Sequence, residues 1–72
     1  MEFKKISIKE DYIKLDSAMK LSGLAFTGGM AKMLILDGKV KVNGEVCLLR
    51  GKKLHSGDTV EFENSGFKIS WK

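Results

Sequence analysis

The side chains best suited to chemistry in this chain are six cations, and a pair of glycines stands ahead of them. Lys32, Lys39, Lys41, Arg50, Lys52 and Lys53 fall between Thr27 and Gly57, where the acids are Asp37 and Glu45. Gly28 and Gly29 follow Thr27 and lead into an apolar run. The first amides of a helix have no intrahelical acceptor, and the helix dipole places partial positive charge on them. With no side chain in the way, a phosphate oxygen can approach the amides of Gly28 and Gly29 closely. Ammonium groups hold phosphate as point charges, and the Arg50 fork can grip it or stack on a base. The competing role for the two glycines is a tight turn or close packing against a neighbouring helix.

The charge distribution agrees with a phosphate-binding middle. The chain has 72 residues and a net charge of +4. The stretch from Thr27 to Gly57 carries six basic and two acidic residues, hence +4. The 26 residues before it give +1 and the fifteen after it give −1. A regional excess of this kind is the footprint of a polyanion binder, whereas scattered lysines would merely keep a domain soluble. Other chemistries fare worse. One cysteine, Cys47, and one histidine, His55, exclude an internal disulfide and the common Cys/His zinc clusters. Cys47 lies among apolar residues and reads as a small buried hydrophobe. No Ser/His/Asp set has supporting spacing. Asp58 reads as a turn residue capping backbone amides, and Glu61 and Glu63 share a strand face without an acid partner. We therefore expect no enzyme, no cofactor and no metal. No apolar run reaches the ~20 residues that cross a bilayer, and no leader follows Met1, so the expected compartment is the cytoplasm.

The elements that must position these groups can be read from periodicity. Phe3 to Ile8 alternates as a strand does, and Tyr12, Ile13 and Leu15 extend or follow it. Asp16 or Ser17 is placed to cap a helix whose apolar face is Leu15, Ala18, Met19 and Leu21, with Gly23 as its stop. Leu24, Ala25 and Phe26 form a short connector expected to drop into the core. Thr27 caps a second helix with Met30, Ala31, Leu34 and Ile35 at helical spacing, ended by Gly38. Lys32 and Leu36 lie off that apolar face. Val40 to Val42 is a strand, and Asn43 with Gly44 predicts a two-residue hairpin turn, which needs positive φ at both positions. Glu45 to Leu49 returns, Arg50 to Lys53 is a basic loop, and Leu54 is a core anchor. Thr59 to Glu63 and Phe67 to Trp71 are strands, with turns at 56–58 and 64–66. Phe3, Phe26, Phe62 and Phe67 read as core, so stacking of bases on them is not expected. The fold class is α+β, in one domain over 1–72: two short packed helices, then a small, mostly antiparallel sheet of four to five strands.

With the elements in place, the chain resembles the S-four RNA-binding domain, the alpha-L fold. Lys14, Leu15 and Asp16, followed by Met19 and Gly23, are similar to the family's first-helix signature, usually Arg-Leu-Asp with a later Leu and Gly. Thr27 to Ile35 resembles its Ser-Arg-x-x-Ala-x-x-Leu-Ile. Gly38 to Gly44 matches Gly-x-Val-x-Val-Asn-Gly without a gap, and Gly57, Asp58 and Val60 match the closing Gly-Asp-x-Ile/Val. The match covers about Lys14 to Phe62 and looks most like the small stand-alone YaaA/YbcJ-type members. One departure stands out: Gly28 occupies a position where many members carry Arg, and Gly29 one where they carry a polar residue.

The resemblance implies a non-catalytic module that grips structured RNA, rRNA or tRNA, through a basic surface at helix two and the following hairpin and loop. The residues expected to touch RNA are Lys14, Thr27, Gly28, Gly29, Lys32, Lys39, Lys41, Asn43, Arg50, Lys52 and Lys53. Asn43 reads first as a turn residue, and His55 as an ordinary surface histidine. Ribosomal particles are a further expected partner, membranes are not, and the protein is expected to be a monomer. The alternative is an adaptor that keeps the fold, has lost RNA and uses Leu36 and Trp71 to meet a protein. Duplex DNA is a third possible ligand.

Overall fold

The computed structural model describes residues 3–71. Seven strands and two helices follow one another as β1 (Lys4–Ile8), β2 (Ile13–Lys14), α1 (Leu15–Ser22), α2 (Gly28–Leu36), β3 (Val40–Val42), β4 (Glu45–Val46), β5 (Lys53–Leu54), β6 (Thr59–Phe62) and β7 (Ser65–Trp71). Five strands form one sheet in the order β1-β7-β6-β3-β4, and β2 pairs with β5 in a separate two-stranded ribbon. All pairings are antiparallel except β1 with β7, where Lys4 lies opposite Phe67 and Ile8 opposite Trp71. A parallel pair needs a long crossover, and here nearly the whole chain supplies it. The fold is the expected α+β arrangement.

One face of the sheet makes the core. Ile6, Ile8, Val40, Val42, Val60, Phe67 and Ile69 meet Leu15, Ala18 and Met19 of α1, Ala31 and Ile35 of α2, Leu54 of β5, and Ala25 between the helices. Period-two burial in β1, β3 and β7 is what an antiparallel-type sheet with one solvated face requires. Gly23 and Gly38 end the helices with φ of +87° and +75°, the left-handed region that glycine enters without strain. Asn43 and Gly44 both have positive φ, as the hairpin turn demands.

The tertiary structure departs from local pattern in six places. First, α1 begins at Leu15 with extended Lys14 as its cap position, so Asp16 and Ser17 lie inside the helix, although the Asp16 carboxylate still accepts from the first-turn Ser17 N–H (2.7 Å). Second, Leu21 is exposed, and Ser22 is buried in its stead: its hydroxyl donates to the Met19 carbonyl (2.9 Å) and accepts from the Leu24 amide (3.3 Å). Third, Phe26 does not enter the core; it is 85% exposed. Fourth, the β6–β7 turn is Glu63 and Asn64, one residue earlier than expected, with Phe62 paired to Ser65. Gly66 belongs to the strand, opposite Glu61, and the ring of Phe3 lies on it; a Cβ there would stand 2.7 Å from that ring. Phe3 is thus a partly exposed lid over Gly66 rather than a core residue, and Glu63 sits in the turn instead of sharing a strand face with Glu61. Fifth, the return strand after the hairpin lasts two residues, leaving Leu48 and Leu49 exposed. Sixth, Cys47 is half-buried rather than enclosed, and its thiol faces the Leu49 carbonyl at 3.6 Å.

Candidate nucleic-acid interface

The best-defined cation group is built where the start of α1 meets the basic loop. Lys14 at the cap position offers no side-chain acceptor, so the first two amides of α1 need others. The Leu15 N–H donates to the Lys52 carbonyl (2.9 Å) and the Asp16 N–H to the Arg50 carbonyl (3.1 Å). The loop therefore serves as the helix cap, and those two bonds fasten Arg50 and Lys52 to α1. The ribbon continues the attachment: Ile13 pairs with Leu54, which is wholly buried, and Lys14 pairs with Lys53. Lys14, Arg50, Lys52 and Lys53 are all exposed around this junction. The Lys53 ammonium lies 4.9 Å from the centre of the Tyr12 ring, and the ring of His55 lies 6.3 Å from the same ring.

Like charges placed directly opposite each other are unfavourable, as Lys14 and Lys53 are here. No carboxylate among the described residues lies within salt-bridge distance of either. Among the described residues the one contact at salt-bridge distance is His55 Nδ1 to Asp58, at 3.9 Å, and no Lys or Arg lies within that distance of a carboxylate. Backbone bonds thus hold these exposed cations near one another, with Asp16 at the same junction but within salt-bridge distance of none of them.

The second group lies on α2. Thr27 is extended, and its Oγ1 accepts from the Met30 N–H (3.1 Å), as expected of a cap. Neither Gly28 nor Gly29 has positive φ. A Cβ added at Gly28 would meet nothing within 4 Å, and at Gly29 its nearest neighbour would be the Thr27 hydroxyl at 3.9 Å. Neither a special turn nor close helix packing therefore explains these glycines. Lys32 is exposed on the same helix. Lys39 follows Gly38, where the helix end abuts the side chains of Val46 and Leu48.

Two of the expected contacts lie apart from these groups. Lys41 sits between buried Val40 and Val42, so it points to the sheet face away from the core, opposite Glu61 on β6. It lies on a different surface from the α1 junction. Asn43 is engaged within the protein: its Nδ2 donates to Asp58 (3.1 Å), and its Oδ1 accepts from the Thr59 N–H (2.9 Å) and hydroxyl (3.4 Å). Asp58 in turn accepts from the His55 N–H at 2.7 Å, the capping role expected of it. These bonds lock the hairpin turn to the turn before β6. Local sequence carried no sign of that lock, because Asn43 and Asp58 are fifteen residues apart. It also carried no sign of Tyr12 as the platform for Lys53.

A domain with a one-sided sheet, two short helices and a basic loop capping the first of them is a small binding module. Family comparison gives the class: the S4 domain family model matches residues 6–70, and the chain belongs to that family. It is a non-catalytic domain. Among its relatives, the probable ribosome maturation protein RlbA of Bacillus subtilis (strain 168) is 43% identical over 61 residues, covering 85% of this chain and 86% of that one. The putative RNA-binding protein YbcJ of Escherichia coli (strain K12) is 33% identical over 61 residues, covering 85% and 87%. The solution structure of E. coli YbcJ, described as revealing an alpha-L motif involved in RNA binding, superposes with a TM-score of 0.73 at 30% identity over 97% of this chain and 90% of that one. No helix among the described residues is long and apolar enough to cross a membrane.

Proposed function

We propose that this protein binds structured RNA, ribosomal or transfer, by its sugar-phosphate backbone. The observation that carries the reading is the α1 junction, where Lys14, Arg50, Lys52 and Lys53 are gathered without an acidic partner. Thr27, Gly28, Gly29 and Lys32 on α2, and Lys39 after it, complete the proposed set of contacts as a second group. Lys41 and Asn43 are left out of it, for the reasons of placement above. The relatives RlbA, a probable ribosome maturation protein, and YbcJ, a putative RNA-binding protein, favour ribosomal RNA as the target. A-form RNA hides its base edges from side chains, so backbone and shape are what such a surface can read.

Titration with a structured RNA at two salt concentrations tests this. With about four phosphates contacted, the slope of log K against log salt should be near −3 on single strands and nearer −4 on a duplex. Lys32→Glu combined with Lys52→Glu should abolish most of the binding. Affinity indifferent to salt and to that double variant refutes the reading. The exposure of Leu36 and Trp71 favours a second one, a protein adaptor; a pull-down that survives nuclease and the same charge reversals would select it.

A further inference from the structure

We propose that a cleft between α1 and the connection from β1 to β2 receives one unpaired nucleotide of the bound RNA. The proposal rests on the RNA-binding reading and narrows its ligand to RNA with a base outside the helix. The cleft has a volume of about 440 Å³, within the range of sites that enclose small organic groups. Lys14, Ser17 and Leu21 line one side of it. With Lys14 at the cap position of α1, their spacing of three and four puts them in a single stripe along the helix. Leu21, exposed despite its apolar side chain, thus lies on the side of α1 that faces the cleft. The end of β1 and the residues after it complete the lining, with Lys9, Glu10 and the ring of Tyr12 among them.

Two residues tie the cleft to the cation group at the α1 junction. Lys14 belongs to both. Tyr12 lines the cleft, and the Lys53 ammonium stands 4.9 Å from the centre of its ring. A phosphate backbone held at the junction therefore runs past the cleft. The chemistry of the lining selects what enters it. Tyr12, Ile13 and Leu21 offer an aromatic ring and aliphatic surface to a flat base, and Ser17 offers a hydroxyl. Lys9 and Lys14 outnumber Glu10, and neither lies within salt-bridge distance of a carboxylate among the described residues. An apolar guest would leave both lysines unused, and a bare anion would leave the ring and aliphatic surface unused. A nucleotide with its base unstacked uses all of them, since every base has a π face and every linkage a phosphate. In a continuous duplex the base faces are covered by their neighbours, so a bulge, loop or junction must supply it.

The test compares an RNA duplex carrying one bulged, fluorescent aminopurine with the same duplex fully paired. Wild-type protein should prefer the bulged RNA by on the order of tenfold and change the fluorescence of the bulged base. Ser17→Trp fills the cleft from an exposed helix position. It should lose the preference and the fluorescence change, while keeping its affinity for paired RNA, its salt dependence and its melting temperature. Tyr12→Ala should lose the preference, and Tyr12→Phe, which retains the ring, should keep it. Equal affinity of wild type for the two RNAs, or a Ser17→Trp protein that keeps the preference, overturns the proposal. Adenosine monophosphate that binds wild type but not Ser17→Trp, with no preference for the bulge, assigns the cleft to a free nucleotide and also overturns it. If in either case Lys52→Glu still weakens binding to both RNAs, the RNA reading stands without the cleft. If the wild type binds neither RNA, both fall together.

Discussion

Replacing Gly28 and Gly29 by alanine separates the needs of the fold from the needs of a ligand. Both residues are helical, neither has positive φ, and a Cβ at either position enters open space or ordinary contact with the Thr27 hydroxyl. Alanine restricts the unfolded chain more than glycine does, so each substitution should stabilise the protein by about 0.4–1 kcal/mol. For a domain of this size, 1 kcal/mol moves Tm by roughly 4–8 °C, so each variant should melt about 2–8 °C higher. RNA affinity should move the other way. A hydrogen bond from an amide to a charged phosphate is worth about 1.5–3 kcal/mol, and a methyl group beside it obstructs the approach. The double variant should therefore bind on the order of tenfold more weakly while melting higher. Thermal denaturation by circular dichroism and a salt-controlled RNA titration measure the two effects. Gly23→Ala supplies the contrast: its φ of +87° predicts destabilisation of about 1–2 kcal/mol. A Gly28→Ala, Gly29→Ala protein that is stabilised and still binds RNA as wild type would refute a ligand role for these amides. A loss of stability would refute the open-space argument itself.

Three further outcomes follow from the placement of single residues. Lys52→Gln should reduce the salt slope by about 1 and weaken binding to all RNAs alike, whereas Lys41→Gln, on the far sheet face, should leave both nearly unchanged; equal losses would put Lys41 in the interface. Asn43→Ala should cost about 2–3 kcal/mol in urea denaturation, from the bonds to Asp58 and Thr59 and a φ of +52° forced on alanine, and Asn43→Gly should cost less because it relieves the backbone term. Gly66→Ala should destabilise by about 1–3 kcal/mol, since its Cβ would stand 2.7 Å from the Phe3 ring and 2.9 Å from the Val60 carbonyl; combined with Phe3→Ala, the ring clash disappears and the backbone clash stays, so only part of the loss should be recovered.

Local pattern in the chain determined whatever depends on near neighbours. The Thr27 cap, the glycine stops at 23 and 38, the Asn43–Gly44 turn and the alternating burial of β3 all come from interactions within a few residues. The regional charge excess was equally visible, because it is a property of composition. Tertiary structure decided which of those charges stand together. Lys41 and Lys52 look alike in sequence, yet strand parity turns one to the back of the sheet, while a carbonyl bonded to the Leu15 amide ties the other to α1. The same distinction governs α1, whose first two amides are met by a loop thirty-odd residues away, and Phe26, an apolar residue that the packing leaves in solvent. Hydrogen bonds and burial between distant segments are set by the packing of the whole domain, and no short window of sequence contains both partners.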